Sequence, residues 1–184
     1  IAVLGCGYWG SNHIRTVHGL GALAAVSDIN SARAEGFSVE YGCAAIAPDD
    51  LAARADIDAV VLALPPQFHA ETAIRMIEAG KDVLIEKPIA LTVADARRTV
   101  AAAKAAGRIL MVGHVLRFHP AFETLKGLVD AGELGDVRYI HSHRLGLGKF
   151  HTENDALWDL APHDLSMILA ITGTEPIEVR GEGA

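Results

Sequence analysis

Ile1-Ala2-Val3-Leu4-Gly5-Cys6-Gly7-Tyr8-Trp9-Gly10-Ser11-Asn12-His13-Ile14-Arg15 decides how the rest of the chain is read. An apolar run leads directly into a G-x-G-x-x-G pattern, and the residues from Ser11 onward can start a helix. A buried strand, a glycine turn and a helix N-terminus are the parts of a dinucleotide-binding site. Gly5 permits the tight turn, Gly7 leaves the backbone open to a pyrophosphate, and Gly10 lets the helix pack close to the strand. The helix start offers N–H groups and the positive end of its dipole to phosphates.

A glycine turn alone is a weak signal, and the check lies about twenty residues downstream. Leu23-Ala24-Ala25-Val26-Ser27 reads as a second strand that ends at Asp28. A carboxylate there accepts hydrogen bonds from the adenosine ribose hydroxyls and repels a 2′-phosphate, which favours NAD over NADP. Asp28 also reads as the cap of the following helix, with Asn30 and Ser31 as competing caps. The order of strand, glycines, helix, strand and acid supports the cofactor reading.

Strand and helix continue to alternate along residues 1–117, the pattern of a doubly wound parallel α/β sheet. Ala59 to Leu64 is an apolar strand stopped by Pro65-Pro66. His69 to Ala79 is helical, with Ile74 and Ile77 on its inner side, and Gly80 ends it. Val83-Leu84-Ile85 is the next strand, Thr92 caps an alanine-rich helix from Val93 to Ala106, and Ile109 to Gly113 closes the unit. Near-continuous apolar strands imply burial on both faces.

The pattern changes over residues 118–184. Pro120 to Ala131 is an amphipathic helix, and Val137 to Leu145 alternates apolar and polar residues, as a strand with one solvated or ligand-facing side does. Gly146 to Asn154 is a polar loop. Leu160 to Thr172 reads as a helix in which Pro162 is tolerable only in the first turn. The last residues, from Glu175, read as a strand just begun. The first lie inside a strand with no initiator Met. The chain therefore reads as part of a longer protein, clipped at its N-terminus.

With 184 residues, 51% of them hydrophobic, the chain can bury a normal core. A net charge of −7 without a basic run argues against nucleic acid or an anionic membrane as partner. The apolar stretches are too short for a transmembrane helix. Cys6 and Cys43 form no C-x-x-C pair, so neither a disulfide framework nor a zinc site is expected, and a cytoplasmic setting fits.

Two groups carry candidate chemistry. Glu86-Lys87-Pro88 follows a strand directly, where ligands of open α/β sheets bind. Lys87 there can stabilise charge developing on a substrate oxygen, or it is an ordinary surface lysine before a turn proline. Asp159 and His163 stand at i and i+4 and share one helical face if the helix includes Asp159. An acid beside a histidine suits a general base. The bland alternative makes Asp159 an N-cap and His163 a half-buried helix residue.

Taken together, Gly5-x-Gly7-x-x-Gly10, Glu86-Lys87-Pro88 and Asp159-x-x-x-His163 resemble the Gfo/Idh/MocA family of oxidoreductases. Gly113-His114-Val115-Leu116-Arg117-Phe118-His119-Pro120 looks like that family's interdomain segment. The resemblance spans essentially the whole chain. It implies an N-terminal Rossmann domain, then the start of an α/β domain with a mostly antiparallel sheet that binds substrate and makes an oligomer, a dimer or tetramer.

Carried over by motif, Lys87 is the catalytic lysine, His163 the acid–base histidine, and Asp159 the carboxylate that positions substrate or histidine. The implied cofactor set is Gly5, Gly7, Tyr8, Trp9, Gly10, Asp28, Leu64, Pro65, His69, Glu86 and Lys87. The implied substrate set is Arg117, Arg144, Trp158 and Asp159. A glycine-rich stretch often precedes the family's Asp, and here Asn154-Asp155-Ala156-Leu157-Trp158 stands instead.

Ser142 to Gly148 and Leu157 to Asp164 look most like members acting on nucleotide sugars, of the UDP-N-acetylglucosamine 3-dehydrogenase type. Arg144 would then meet a phosphate or sugar carboxylate, or else be a solvated strand charge. The expected activity is NAD-dependent hydride transfer at a secondary alcohol of a sugar or nucleotide sugar. An NADPH-dependent ketosugar reductase and a non-catalytic dinucleotide sensor of the same fold are the alternatives.

Overall fold

Every strand of the sheet is short, mostly apolar and parallel to its neighbours. The computed structural model describes residues 1–144 and 156–182, and the chain divides into two units, Ile1–Gly113 and His114–Ala184. The first unit holds β1 (Ala2–Leu4), α1 (Tyr8–Gly19), β2 (Ala25–Ser27), α2 (Ser31–Tyr41), β3 (Ala44–Ala45), β4 (Ala59–Leu62), α3 (His69–Glu78), β5 (Asp82–Ile85), α4 (Val93–Ala106) and β6 (Leu110–Val112). The strands lie in the order β3-β2-β1-β4-β5-β6, with Val3 in register with both Val26 and Val61. The chain works outward from β1 to β3 and returns to the other side with β4. The β1/β4 boundary is the topological switch point, where open sheets of this kind bind ligands beyond their carboxyl ends.

Alternate side chains of each strand serve opposite layers. Ala2 and Leu4 pack with Leu62, Ile85 and the α3 and α4 residues Ala73, Met76, Ile77 and Ala103. Val3 points the other way, to Val26, Val61 and the α1 and α2 residues Ile14, Val17 and Ala34. Burial on both faces explains why the strands are apolar apart from Ser27 at the end of β2 and Asp82 at the start of β5. Full burial of a side chain such as Ile14 contributes roughly 1.5–3 kcal/mol.

Several boundaries differ from the sequence reading. α1 begins at Tyr8 rather than near Ser11, so Tyr8, Trp9 and Gly10 are already helical. The two-residue β3 was not anticipated, because Ala44-Ala45 is too short for an apolar run to stand out. On α3 the inner face is Ala70, Ala73, Met76 and Ile77, and Ile74 is only half buried. The helical repeat through Ala73 and Ile77 carries Ile74 off the core-facing stripe. Thr92 does cap α4, its hydroxyl accepting from the Asp95 N–H at 3.1 Å, and Gly107 ends that helix with φ +62°.

The second unit contains a 3-10 turn at Val115–Phe118, then α5 (Pro120–Asp130) and α6 (Ala156–Thr172). The antiparallel sheet expected here is not present among the described residues. Residues 137–144 have no strand assigned, because alternation selects faces but a ladder needs a paired partner. Leu145 and the expected polar loop 146–154 lie outside the described residues, apart from which α6 starts earlier than expected. Pro162 consequently sits inside the helix rather than in its first turn, and contributes no N–H to the ladder. Among the described residues no helix is long and apolar enough to cross a membrane.

Candidate active site

The glycine turn is built as its spacing requires. Gly5 has φ +96°, and a Cβ there would stand 2.3 Å from the Ala63 carbonyl oxygen, so only glycine fits between β1 and β4. A Cβ on Gly10 would fall 1.8 Å from the Gly5 carbonyl oxygen. Gly7 is different. Its backbone is extended (φ −74°, ψ −165°), it is the N-cap of α1, and it makes no side-chain cap. A Cβ at Gly7 would meet nothing within 4 Å. The first turn of α1 carries no acidic residue. An uncapped helix start facing open space fits an anion such as a pyrophosphate.

Asp28 follows β2 and is 7% exposed. Its Oδ2 accepts from the Cys6 N–H at 2.7 Å and its Oδ1 from the Asn30 N–H at 2.8 Å. The carboxylate thus ties the glycine turn to the start of α2. Asn30 is the cap of α2, its side chain accepting from the Arg33 N–H at 3.2 Å. That leaves Asp28 out of the capping role; with Oδ2 accepting from both the Cys6 N–H and Arg33 Nη1, it is Oδ1 that keeps acceptor capacity for a ribose hydroxyl. Arg33 stands 3.4 Å from Oδ2. A cavity of about 270 Å³ opens beside Asp28, bordered by Ile29, Ser31, Ala34 and Ile46. The Cys6 thiol is pushed up to about 11 by burial and by the charge of Asp28, so it stays protonated at neutral pH.

Glu86 follows β5 and is 8% exposed. Its Oε1 accepts from Trp9 Nε1 at 2.6 Å and meets His13 Nε2 at 2.7 Å, and its Oε2 accepts from the Lys87 N–H at 3.2 Å. Burial pushes the carboxyl pKa up, but the hydrogen bonds from His13 and Trp9 outweigh it and hold the group below its ordinary value. A Cβ on Gly113, just past β6, would come within 2.9 Å of Oε1, so this glycine makes room for the carboxylate. Trp9 and Glu86, both expected to contact cofactor, are here bonded to each other. The Lys87 side chain is half buried, and the Lys87–Pro88 bond is cis.

His69 requires a correction. Its place after β4 made it a candidate cofactor contact, yet it is 0% exposed. Its Nδ1 lies 2.7 Å from the Pro88 carbonyl oxygen and its Nε2 2.8 Å from the Leu64 carbonyl oxygen. A ring with no accessible surface and both nitrogens committed to backbone supports loops rather than touching a ligand. Leu64 is partly buried against the core. Pro65 and Tyr8 are exposed, Tyr8 at 82%.

In the second unit, α6 includes Asp159, so Asp159 and His163 do share a helical face and Asp159 is not the N-cap. The His163 ring meets His114 edge-to-face, with centroids 6.4 Å apart. Arg144 Nε donates to Asp164 Oδ2 at 2.9 Å. The arginine is therefore neither a lone solvated charge nor unengaged. Arg117 lies exposed in the 3-10 turn, and Trp158 is 40% exposed on α6. Among the described residues no group of three His, Cys, Asp or Glu could hold a metal ion.

Sequence reasoning missed His13, Gly113 and Asp164. His13 stands one turn after Trp9 on α1, and i, i+4 spacing from the glycine turn was an available signal. Nothing in the spacing of Gly113 or Asp164 marks their partners.

Comparison with known proteins bears on the whole chain. Residues 1–114 match the model of the oxidoreductase family with an NAD-binding Rossmann fold, and residues 122–184 match the Gfo/Idh/MocA C-terminal domain. Inositol 2-dehydrogenase 1 of Saccharopolyspora erythraea is 35% identical over 97% of this chain and 56% of its own length. UDP-N-acetylglucosamine 3-dehydrogenase of Acidithiobacillus ferrooxidans is 35% identical over 98% of this chain and 56% of its own. A crystal structure of the latter superposes with a TM-score of 0.88 over 100% of this chain and 60% of that one. The chain thus spans little more than half the length of these relatives, which are named as dehydrogenases. On this evidence the chain belongs to the Gfo/Idh/MocA oxidoreductase family, and its first unit is that family's NAD-binding Rossmann fold.

Proposed function

We propose that the protein is an NAD-dependent dehydrogenase acting on a secondary alcohol of a sugar or nucleotide sugar. The observation that carries this reading is the set of groups gathered at the carboxyl ends of neighbouring parallel strands. Gly5 to Gly10 follow β1, Asp28 follows β2, and Glu86-Lys87 follow β5. Gly7 and the start of α1 would hold the pyrophosphate, and Asp28 with the adjoining cavity the adenosine end. The nicotinamide, when bound, supplies the hydride acceptor.

The chain's own residues supply orientation and proton handling. Lys87 stabilises charge on the substrate oxygen. His163, assigned by its motif in the second unit, takes the hydroxyl proton, with Asp159 orienting substrate or imidazole. Arg117, Arg144 and Trp158 are proposed substrate contacts, Arg144 through a guanidinium already oriented by Asp164. The likeness in name of the relatives to inositol and UDP-N-acetylglucosamine dehydrogenases supports a polyol or nucleotide-sugar substrate. A homo-oligomer is proposed with it. Arg33 beside Asp28 favours a second reading, in which NADP is also accepted because the guanidinium offsets the carboxylate's repulsion of a 2′-phosphate.

The test is NADH formation by the full-length protein from NAD with myo-inositol and with UDP-N-acetylglucosamine, repeated with Lys87→Ala. Turnover with one of them, lost by at least about 100-fold in the variant while NADH still binds, is the expected result. Full turnover by Lys87→Ala would remove the lysine from the mechanism. Binding of NADH with no turnover of any polyol or sugar would favour a sensor.

A further inference from the structure

The Glu86 carboxylate is gripped from α1, from its own neighbour and from β6. Two donors on α1, Trp9 Nε1 at 2.6 Å and His13 Nε2 at 2.7 Å, meet the same oxygen, Oε1. The other oxygen, Oε2, accepts from the Lys87 N–H at 3.2 Å. Gly113 walls off the remaining side, since a Cβ there would stand 2.9 Å from Oε1 and 3.0 Å from Oε2. The carboxylate cannot turn without breaking a bond. Stability alone is a weak reason for such a group. Apolar residues of similar volume often serve a buried site as well as an ion pair does, whereas removing one partner of the pair is costly. Its place beside Lys87, at the carboxyl end of β5, gives it another use.

We propose that His13 is a positioning residue for Lys87: from α1 it fixes the Glu86 carboxylate, which fixes the Lys87 N–H and so the point from which the lysine side chain starts. An ionised carboxylate only accepts, so His13 needs a hydrogen on Nε2, and any form of the ring that carries one makes the contact. Burial alone would raise the Glu86 carboxyl, and His13, ahead of Trp9, brings it below its ordinary value. Trp9 stands one turn earlier on the same face of α1. It is exposed where His13 is half buried, so water competes more for the Trp9 bond. The pyrophosphate would lie at the start of this same helix. α1 thereby joins the proposed cofactor site to the lysine. His13 touches no reacting atom, and the functional half of the proposal rests on the role proposed above for Lys87.

Two measurements on the full-length protein test the structural and functional halves separately. His13→Leu removes the donor and keeps an apolar side chain on α1. His13→Gln places an amide N–H near the position of Nε2, and His13→Asn, too short to reach Oε1, stands in for His13→Leu if that variant does not fold. The first measurement is hydrogen exchange of the Lys87 amide, read by NMR. His13→Leu should speed it at least about fivefold, with the amides of β1 unchanged, and His13→Gln should restore it. An unchanged Lys87 amide overturns the link from α1 to the lysine, whatever the protein's activity. The second is kinetics. His13→Leu should lower kcat at least about tenfold, part of the roughly 100-fold cost of misplacing a catalytic group by about 1 Å. NADH affinity should change less than about threefold, and His13→Gln should recover most of kcat. Wild-type kcat in His13→Leu, a loss of NADH affinity as large as the loss of kcat, or no recovery in His13→Gln overturns the positioning role. Absence of turnover in the wild type with every polyol and sugar tried refutes the proposed function instead, while the Lys87 amide still decides the link from His13.

Discussion

Substituting Gly7 by alanine separates the dinucleotide site from the fold that carries it. The new methyl group would meet no protein atom within 4 Å. The backbone there (φ −74°, ψ −165°) is one that alanine adopts without strain. Two small effects on stability oppose each other. Alanine is a poorer N-cap than glycine, by up to about 1 kcal/mol. Alanine also restricts the unfolded chain, which contributes about 0.4–1 kcal/mol the other way. The melting temperature should therefore stay within about 4 °C of wild type. Binding is another matter, because the methyl occupies the space a pyrophosphate needs. By analogy with overpacking in a tight interior, the clash should cost about 1–3 kcal/mol, or roughly 5- to 150-fold in NADH affinity. Fluorescence titration with NADH, beside a thermal melt of the same sample, reads both quantities. Gly10→Ala is the counterpart. Its methyl would fall 1.8 Å from the Gly5 carbonyl oxygen, so it should unfold at lower temperature as well as bind weakly. Wild-type NADH affinity in a folded Gly7→Ala variant would refute the placement of the pyrophosphate.

Glu86→Gln should destabilise the protein by about 1–3 kcal/mol at neutral pH, because Trp9, His13 and the Lys87 N–H lose a charged acceptor. The Glu86 carboxyl is held below its ordinary value of 4.5, so its stabilising effect is present above that pH and disappears as the pH falls through the lower, folded value. Urea melts from pH 7 to pH 3 should show the two proteins converging on the acid side. An undiminished gap at pH 3 would contradict this. Asp28→Asn should shift the NADP-to-NAD affinity ratio at least about tenfold towards NADP, since the repelling charge is gone and Arg33 remains. Paired NADH and NADPH titrations check it, and an unchanged ratio removes Asp28 from cofactor discrimination. Ile14→Ala, at a fully buried position between α1 and the sheet, should cost about 2–5 kcal/mol in a denaturant melt.

The glycine turn, the acid after β2 and the E-K-P segment were legible because each imposes a residue type at a fixed place along the chain. The same holds for the strands, whose burial on both faces favours apolar residues at nearly every position. The supports were less legible. Glu86 reads as part of a motif, but its bonds to Trp9 and His13 cross from β5 to α1, and no spacing records that. His69 followed the strand where a ligand contact is expected, and only the fold shows that Leu64 and Pro88 close over both of its nitrogens. Alternation over Val137 to Arg144 marked faces of a strand, yet pairing is a property of two segments and cannot be read from one. The start of α6 at Ala156 is not legible from Pro162, because a proline disfavours a preceding turn yet a helix tolerates it at the cost of one hydrogen bond and some crowding.

The most direct test of the central claim is a crystal structure of the full-length protein with NAD and either myo-inositol or UDP-N-acetylglucosamine. The account predicts the pyrophosphate against Gly7 and the first turn of α1, the adenosine ribose on Asp28, and a substrate carbinol at the nicotinamide with its oxygen on Lys87. A dinucleotide bound elsewhere, or a substrate oxygen out of hydrogen-bond reach of Lys87 with the nicotinamide in place, would contradict it.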